Sequence, residues 1–205
     1  MGKVEENKKK KKDALLAAAF TLFTEKGIHE TSISDIARKA QLAKGTFYLY
    51  FKDKYDIEKR LIAKKASQIF EEAYYHVQSI QDVQDGKTGF EDEVVYLVDY
   101  IVDLLNEDKA LLKFLSKNLG WGVFYHALTS PRESDELNFS IVYEKLLQDS
   151  GHKYRRPDLM IYMIVEIVSS TIYNVILYEE PVSLEILKPE LYEVIRQIVR
   201  GQEIA

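Results

Sequence analysis

The residue types that could act in catalysis occur in this sequence without the spacing that catalysis requires. The four histidines are His29, His76, His126 and His152. They show no metal-ligand spacing, and no glycine-rich phosphate loop is present. Tyr55 and Lys59 have the separation of a dehydrogenase dyad, but the strands that this fold needs are missing from the pattern. The chain has no cysteine, which excludes thiol nucleophiles and cysteine zinc sites. We therefore predict a protein that is not an enzyme and uses no metal and no cofactor.

One short stretch has the chemistry of a nucleic-acid contact. Lys44, Gly45 and Thr46 place a cation, a position without a side chain and a hydroxyl at the predicted start of a helix. Glycine weakens a helix by about 1 kcal/mol relative to alanine. That cost is understandable where the backbone must approach a phosphate closely. Lys54, in the first turn of the next helix, could bind a phosphate together with nearby backbone N–H groups.

The charge distribution points to the same partner. Residues 1–65 contain 16 Lys/Arg and 9 Asp/Glu, a net charge of +7, whereas residues 66–205 contain 12 and 24, a net charge of −12. A basic N-terminal part on an acidic remainder suggests that the former meets a polyanion. Five of its charges are the run Lys8–Lys12, which we expect to belong to a disordered basic tail over residues 1–12.

The elements that must position these residues are predicted to be helical throughout, since no segment alternates with period two. Asp13 is a candidate N-cap for the first helix and Gly27 a candidate stop. Ser32 and Asp35 have the spacing of a capping box. Asp53 would cap a long helix that bridges to the rest of the chain. The expected helices over this part span about 13–26, 33–40, 44–51 and 54–77.

Residues 33–51 therefore have the form of a helix-turn-helix, in which the second helix enters the major groove. The stretches Phe20–Gly27, Thr31–Ala37 and Lys44–Lys54 closely resemble the N-terminal domain of TetR-family repressors, over about residues 13–60 without gaps. Family members often carry a capping Ser or Thr where this chain has Ala43. The resemblance implies a homodimer on a palindromic double-stranded operator and a divergent C-terminal domain that binds a small-molecule effector.

By position, the resemblance places the DNA contacts on nine residues: Ser32, Ser34, Lys44, Gly45, Thr46, Tyr48, Leu49, Tyr50 and Lys54. An exposed Leu49 would favour a thymine methyl group. Tyr48 is interpreted as a DNA contact rather than as core, and Phe51 as core. For Tyr50 the two interpretations remain open.

The C-terminal part, residues 61–205, is predicted to be a helical bundle that binds the effector and forms the dimer. Its helices are expected at about 91–106, 108–119, 135–150, 157–180 and 187–201. Pro157 and Pro189 would each lie in the first turn of one of the last two. The apolar stretch 159–178 carries Glu166 and Asn174, which argues against a membrane span. The N-terminal lysines and the apolar residues after them are not expected to form a signal peptide, so the predicted location is the cytoplasm.

Aromatic side chains are the candidates for the effector site, although for any single one of them ordinary core packing is the favoured explanation. Trp121 is flanked by glycines, which marks a break between helices. Glu166 lies among apolar neighbours, so it is either a counter-charge for the effector or part of a structural pair. The predicted effector residues are Tyr96, Tyr100, Trp121, Phe124, Tyr125, Tyr143, Tyr162, Glu166 and Tyr173.

The last two helices are the predicted dimer elements. One has small residues, Ser169 and Ser170, where helices could cross closely, and the other has an apolar stripe. The stripe residues assigned to the interface are Leu191, Val194, Ile195 and Ile198.

Overall fold

The computed structural model describes residues 2–80, 83, 85–116 and 139–204, which divide into two compact units, Met1–Lys64 and Lys65–Ala205. The all-α prediction is confirmed. The helices of the described residues are α1 Lys3–Lys26, α2 Ile33–Lys39, α3 Lys44–Phe47, α4 Lys54–Gln78, α5 Phe90–Glu107, α6 Lys109–Ser116, α7 Phe139–Asp149, α8 Pro157–Tyr178 and α9 Leu184–Gln202.

Helix α1 begins ten residues earlier than expected. Gly2, not Asp13, is its N-cap, so the residues predicted as a disordered tail are helical from Lys3 onward. Glu5 and Glu6 lie in the first turn, where acidic side chains stabilise the positive end of the helix dipole. Glu6 also forms an ion pair with Lys10, one turn later, at 2.7 Å. These contacts favour the continuous helix despite the repulsion among the lysines that follow.

The core of the first unit is formed by apolar residues from α1 to α4. Phe47 and Phe51, the second of which was correctly predicted to face inward, are fully or almost fully buried. Both pack among buried side chains such as Leu15, Ile36 and Ile57. Since α2 and α3 are too short to be stable alone, this burial is what holds them.

Lys54 ties together the loop between α1 and α2. Its Nζ donates hydrogen bonds to the backbone carbonyls of Ile28, His29 and Thr31, at 2.9, 3.1 and 3.3 Å. An ammonium group has three donors, and the three carbonyls use all of them. Asp53, as predicted, caps α4 by accepting from the N–H groups of the two residues Tyr55 and Asp56.

In the second unit a row of acid–base contacts joins α5 to α9. Arg196 pairs with Asp92 at 2.7 Å and Arg200 with Glu91 at 3.1 Å. Further along, Lys188 pairs with Asp99 at 2.7 Å and Tyr192 also donates to Asp99, while Lys188 reaches Asp103 as well. The α9 members of this row, Lys188, Tyr192, Arg196 and Arg200, recur every four residues, which places them on one edge of α9.

Two expectations for the end of the chain are wrong. Helix α9 begins at Leu184, so Pro189 lies inside the helix rather than in its first turn. A proline in that position leaves the carbonyl four residues earlier without its helical N–H partner. The chain also has a short antiparallel strand pair, β1 Lys153–Tyr154 with β2 Glu203–Ile204, that no alternation in the sequence predicted.

Helix α8 is long and apolar enough to cross a membrane by length and composition, with 39% of its most apolar stretch buried in the chain. This is weak evidence for a membrane span, because core helices of water-soluble proteins pass the same test. Its buried residues, among them Met160, Ile164 and Val168, lie along one side. The opposite side is left partly uncovered.

We expect Lys54→Ala to destabilise the first unit by about 1–3 kcal/mol, because three carbonyls lose a charged donor. The neighbouring Lys59→Ala, an exposed lysine on the same helix, is the matched control and should leave stability nearly unchanged. Thermal and urea unfolding of the two variants measure this. Equal stability of both variants would contradict the bracing role of Lys54.

Candidate nucleic-acid interface and effector cavity

The start of α3 and the turn after it form an exposed surface on the first unit. Lys44 and Gly45 are exposed, and Thr46 is half-buried. Tyr48 is 54% exposed and Leu49 is 78% exposed. Phe47, which directly precedes them, is fully buried. Tyr48 packs its ring edge-on against Phe47, with centroids 5.5 Å apart. An aromatic ring and a large aliphatic side chain are thus held in solvent beside a lysine.

Gly45 has no structural explanation within the chain. Its φ is not positive, and a Cβ built there meets no atom within 4 Å. Glycine in a helix is therefore neither needed by the backbone nor required by a close neighbour, although it lowers helix stability. A surface that approaches from outside would explain it.

The N-terminus of α2 is capped as the sequence predicted. Ser32 Oγ accepts from the Asp35 N–H at 3.1 Å, and the Asp35 carboxylate accepts from the Ser32 N–H at 3.2 Å. Hydrogen bonds from the Ser32 hydroxyl, then Lys26, lower the pKa of Asp35 from 3.8 to about 2. The capping box thus occupies the Ser32 hydroxyl, whereas the nearby Ser34 is exposed.

Two predicted DNA contacts have partners within the chain. The ammonium of Lys54 donates to three backbone carbonyls of the loop before α2, so it braces that loop, while its predicted phosphate contact stays a prediction. Tyr50, which sequence reasoning left open, is half-buried with its ring tilted against Phe51 at 6.4 Å. The remaining predicted contacts lie on the surface of α2 and α3.

The second unit encloses a cavity of about 120 Å³ between α4, α5, α6 and α8. Its walls are aliphatic apart from the ring of Phe70 and the hydroxyl of Ser169. The other lining residues are Ala66, Ile69, Leu97, Val98, Ile101, Leu105, Leu112, Leu115, Ile161, Ile164, Val165, Val168 and Ile172. Such walls offer dispersion contacts and almost no hydrogen bonds to a bound molecule.

None of the predicted effector residues within the described ranges lines this cavity. The Tyr100 hydroxyl donates to Glu72 at 2.7 Å, and its ring stacks on His76. The buried Tyr143 donates to the carbonyl of Pro157, also at 2.7 Å. Three more tyrosines, at 96, 162 and 173, lie elsewhere on α5 and α8. Trp121, Phe124 and Tyr125 lie outside the described residues.

Glu166 was expected either beside the effector or in a structural pair. Successive residues of a helix are rotated by about 100° around its axis. By this rotation Glu166 lies about 130° around α8 from the middle of the α8 residues that line the cavity. It shares its half-exposed side of the helix with Met163 and Ile167. Glu166 is not among the described residues that line this cavity, and its predicted role as a counter-charge for the effector stays a prediction.

The predicted dimer residues divide into two groups. Leu191 is 3% exposed and Ile195 0% exposed, so this part of the α9 stripe packs inside its own chain and is not an interface. Ser169 lines the cavity instead. Ser170 and Val194 are exposed and Ile198 half-exposed, which leaves them accessible to a second molecule.

Sequence reasoning missed the aliphatic cavity residues as a site. These residues belong to the apolar side chains of four helices, and Ile69 and Phe70 are among the buried ones. A pattern of apolar residues, however, predicts which side is buried and not where packing leaves space. The aromatic residues attracted the prediction because aromatic-lined pockets are common.

Comparisons with known proteins agree with this architecture. The family model for bacterial regulatory proteins of the tetR family matches residues 15–61. The transposon Tn10 TetC protein of Escherichia coli is 32% identical over 119 residues, which are 57% of this chain and 57% of TetC. The chain thus spans somewhat more than half the length of that relative.

Solved structures resemble the chain over nearly its whole length. A TetR-family transcriptional regulator from Streptomyces coelicolor aligns with a TM-score of 0.65 at 16% identity, covering 94% of this chain and 99% of the other. The regulator FadR of Bacillus subtilis, solved with stearoyl-CoA, aligns with a TM-score of 0.53 at 21% identity, covering 89% and 96%. At these identities the likeness concerns the fold.

The helix-turn-helix formed by α2 and α3 lies within the matched segment, and the helices that follow it have the fold of these solved structures. The family matched by residues 15–61 consists of regulatory proteins. Over residues 15–61 the chain is thus similar to the tetR family of bacterial regulatory proteins.

Proposed function

We propose that this protein is a DNA-binding transcriptional regulator of the cytoplasm, a repressor that an aliphatic effector releases from a palindromic operator. The observation that carries the proposal is the surface of α3, where Lys44, Gly45, Tyr48 and Leu49 are presented together. A lysine supplies phosphate contact, while an exposed leucine and tyrosine supply contacts to base edges and thymine methyl groups. Nothing else in the first unit explains why these apolar side chains stay in water.

Gly45 allows a test in which stability and DNA binding change in opposite directions. We expect Gly45→Ala to stabilise the first unit by up to about 1 kcal/mol, because alanine favours the helix and meets no neighbour. The added methyl group should weaken DNA binding, since it stands between the backbone and a phosphate. Thermal unfolding and fluorescence anisotropy with DNA fragments selected from genomic DNA measure the two effects.

Gly201→Ala is the matched control, because Gly201 is also helical and its Cβ would meet nothing within 4 Å. It should raise stability without changing DNA affinity. If Gly45→Ala bound the selected fragments as tightly as the parent, α3 would not be the DNA-contacting surface.

The walls of the cavity support an aliphatic effector. A site with one hydroxyl and otherwise hydrocarbon walls favours a chain of methylene groups over a cation or a planar aromatic compound. FadR of Bacillus subtilis, a protein of the same fold, was solved with a long-chain acyl thioester. We therefore assign the effector to the class of long-chain acyl compounds.

The size of the cavity supports a mechanism of release. At about 120 Å³ it is smaller than ordinary ligand sites, which measure about 300–1,000 Å³. A long acyl chain must push the surrounding helices apart. One of these is α4, whose residues Ala66, Ile69 and Phe70 line the cavity and whose first turn follows the helix-turn-helix. A tenfold loss of DNA affinity needs only about 1.4 kcal/mol of coupling.

We expect stearoyl-CoA to raise the melting temperature and to release the selected DNA, whereas acetyl-CoA does neither. Ile101→Phe fills part of the cavity and should abolish both responses to stearoyl-CoA. Tyr100→Phe, at the adjacent position outside the cavity, should respond as the parent does. Unchanged responses of Ile101→Phe would place the effector site elsewhere.

A second copy of the chain is the proposed occupant of the uncovered side of α8. Leu159, Met163 and Ile167 recur along that side and are only partly buried. Val194 and Ile198 add exposed apolar surface on α9. A four-helix contact of two α8 and two α9 helices would remove these side chains from water.

We expect the double variant Ile167→Asp, Val194→Asp to be a monomer by light scattering, since each charge would lie in the dimer contact. Ile195 is unsuitable for this test because its burial within one chain means that a charge there would unfold the protein. Leu49→Asp, which places a charge at an exposed leucine of α3, is the control and should remain a dimer. A dimeric double variant would contradict the proposed interface.

A further inference from the structure

The ten-residue extension of α1 is a basic helix that the helix-turn-helix does not require. Residues 3–11 are all exposed, and five of them are lysines, at positions 3, 8, 9, 10 and 11. With a rise of about 1.5 Å per residue, Lys3 lies about 16 Å beyond Ala14 along the helix axis. The apolar core of the unit begins only at Leu15.

One side of this extension continues the side of α1 that faces the turn between α2 and α3. Ala14, Ala17 and Thr21 line a groove together with Lys39 and Gln41 of that turn. At about 100° per residue, the same side continues toward the N-terminus through Lys3, Asn7, Lys10 and Lys11. Lys8 and Lys9 point away from it. Gln41 precedes the start of α3 by only three residues, so this basic side adjoins the DNA-contacting surface.

We propose that residues 3–12 form a basic arm that binds the sugar–phosphate backbone of the same duplex that α3 reads, through Lys3, Lys10 and Lys11. The inference rests on the proposed DNA-binding function and extends it to a second contact element. Two observations support this occupant: the positive charge complements phosphate, and the basic side is continuous with the turn leading into α3. Because phosphates carry no sequence information, the arm adds affinity and not specificity.

The experiment compares two pairs of adjacent lysines on opposite sides of the arm. Glutamine removes the charge and has nearly the helix propensity of lysine, so Lys10→Gln, Lys11→Gln and Lys8→Gln, Lys9→Gln should keep the helix. Circular dichroism checks this. The affinity of each full-length variant for a random-sequence duplex is measured by anisotropy against salt concentration.

We expect Lys10→Gln, Lys11→Gln to lower the slope of log affinity against log salt by about 1.8, which is about 0.9 for each lost phosphate contact. Lys8→Gln, Lys9→Gln should leave the slope near that of the parent. The affinity for selected operator fragments should fall by the same factor as that for random DNA.

An equal decrease of the salt slope in both double variants would mean that only the net charge of the arm matters, which would overturn the proposal. An unchanged salt slope in both double variants would overturn it as well. A specific loss of binding to anionic phosphatidylglycerol vesicles with an unchanged DNA slope would also overturn it. If the parent protein binds no duplex at all, the proposed function itself fails. If the parent binds duplex DNA and the two double variants behave alike, only the proposal about the arm fails.

Discussion

Burial of two phenylalanines, Phe47 and Phe51, holds α3 and the turn after it in place, and the exposed surface of the first unit depends on this anchoring. A helix of seven residues and one of four cannot persist in water alone, because helix nucleation is unfavourable. Phe47 and Phe51 anchor α3 and the turn after it in a core that α1 and α4 complete. Two of the three residues between these anchors, Tyr48 and Leu49, therefore keep a fixed place in solvent. Lys54 adds a second fixed point by holding the loop before α2.

The second unit depends on the two sides of α8. One side closes an aliphatic cavity against α4, α5 and α6, while the other is left partly uncovered. Glu166 belongs to the uncovered side, where solvent or a partner can satisfy a carboxylate that the hydrocarbon wall could not. A row of ion pairs joins α9 to α5.

Local signals in the sequence predicted most of the helix-turn-helix, although α3 ends at Phe47 and not near Phe51 as expected. Ser32 and Asp35 form the predicted capping box, Asp53 caps α4, and Phe51 is core. Signals that depend on distant contacts failed. Nothing near Lys54 in sequence reveals three carbonyls 23 to 26 residues away. The buried stripe at Leu191 and Ile195 looked like a dimer surface because an apolar stripe has the same pattern whichever helix covers it. The cavity lies where the side chains of four helices leave a volume unfilled, and this depends on contacts between residues far apart in the sequence.

Ser169 supplies the one hydroxyl among the described residues of the cavity wall, which would limit what the proposed effector site can distinguish. A pocket that hydrogen-bonds its ligand rejects analogues lacking that group by large factors, whereas a hydrocarbon wall separates neighbours differing by one methylene by about 1–3 kcal/mol. A regulator built around Ser169 and fourteen mostly aliphatic neighbours would grade molecules by length and bulk. Its output would then follow the total abundance of a pool of chemically related chains, and a cell would read from it a metabolic condition rather than the concentration of one compound.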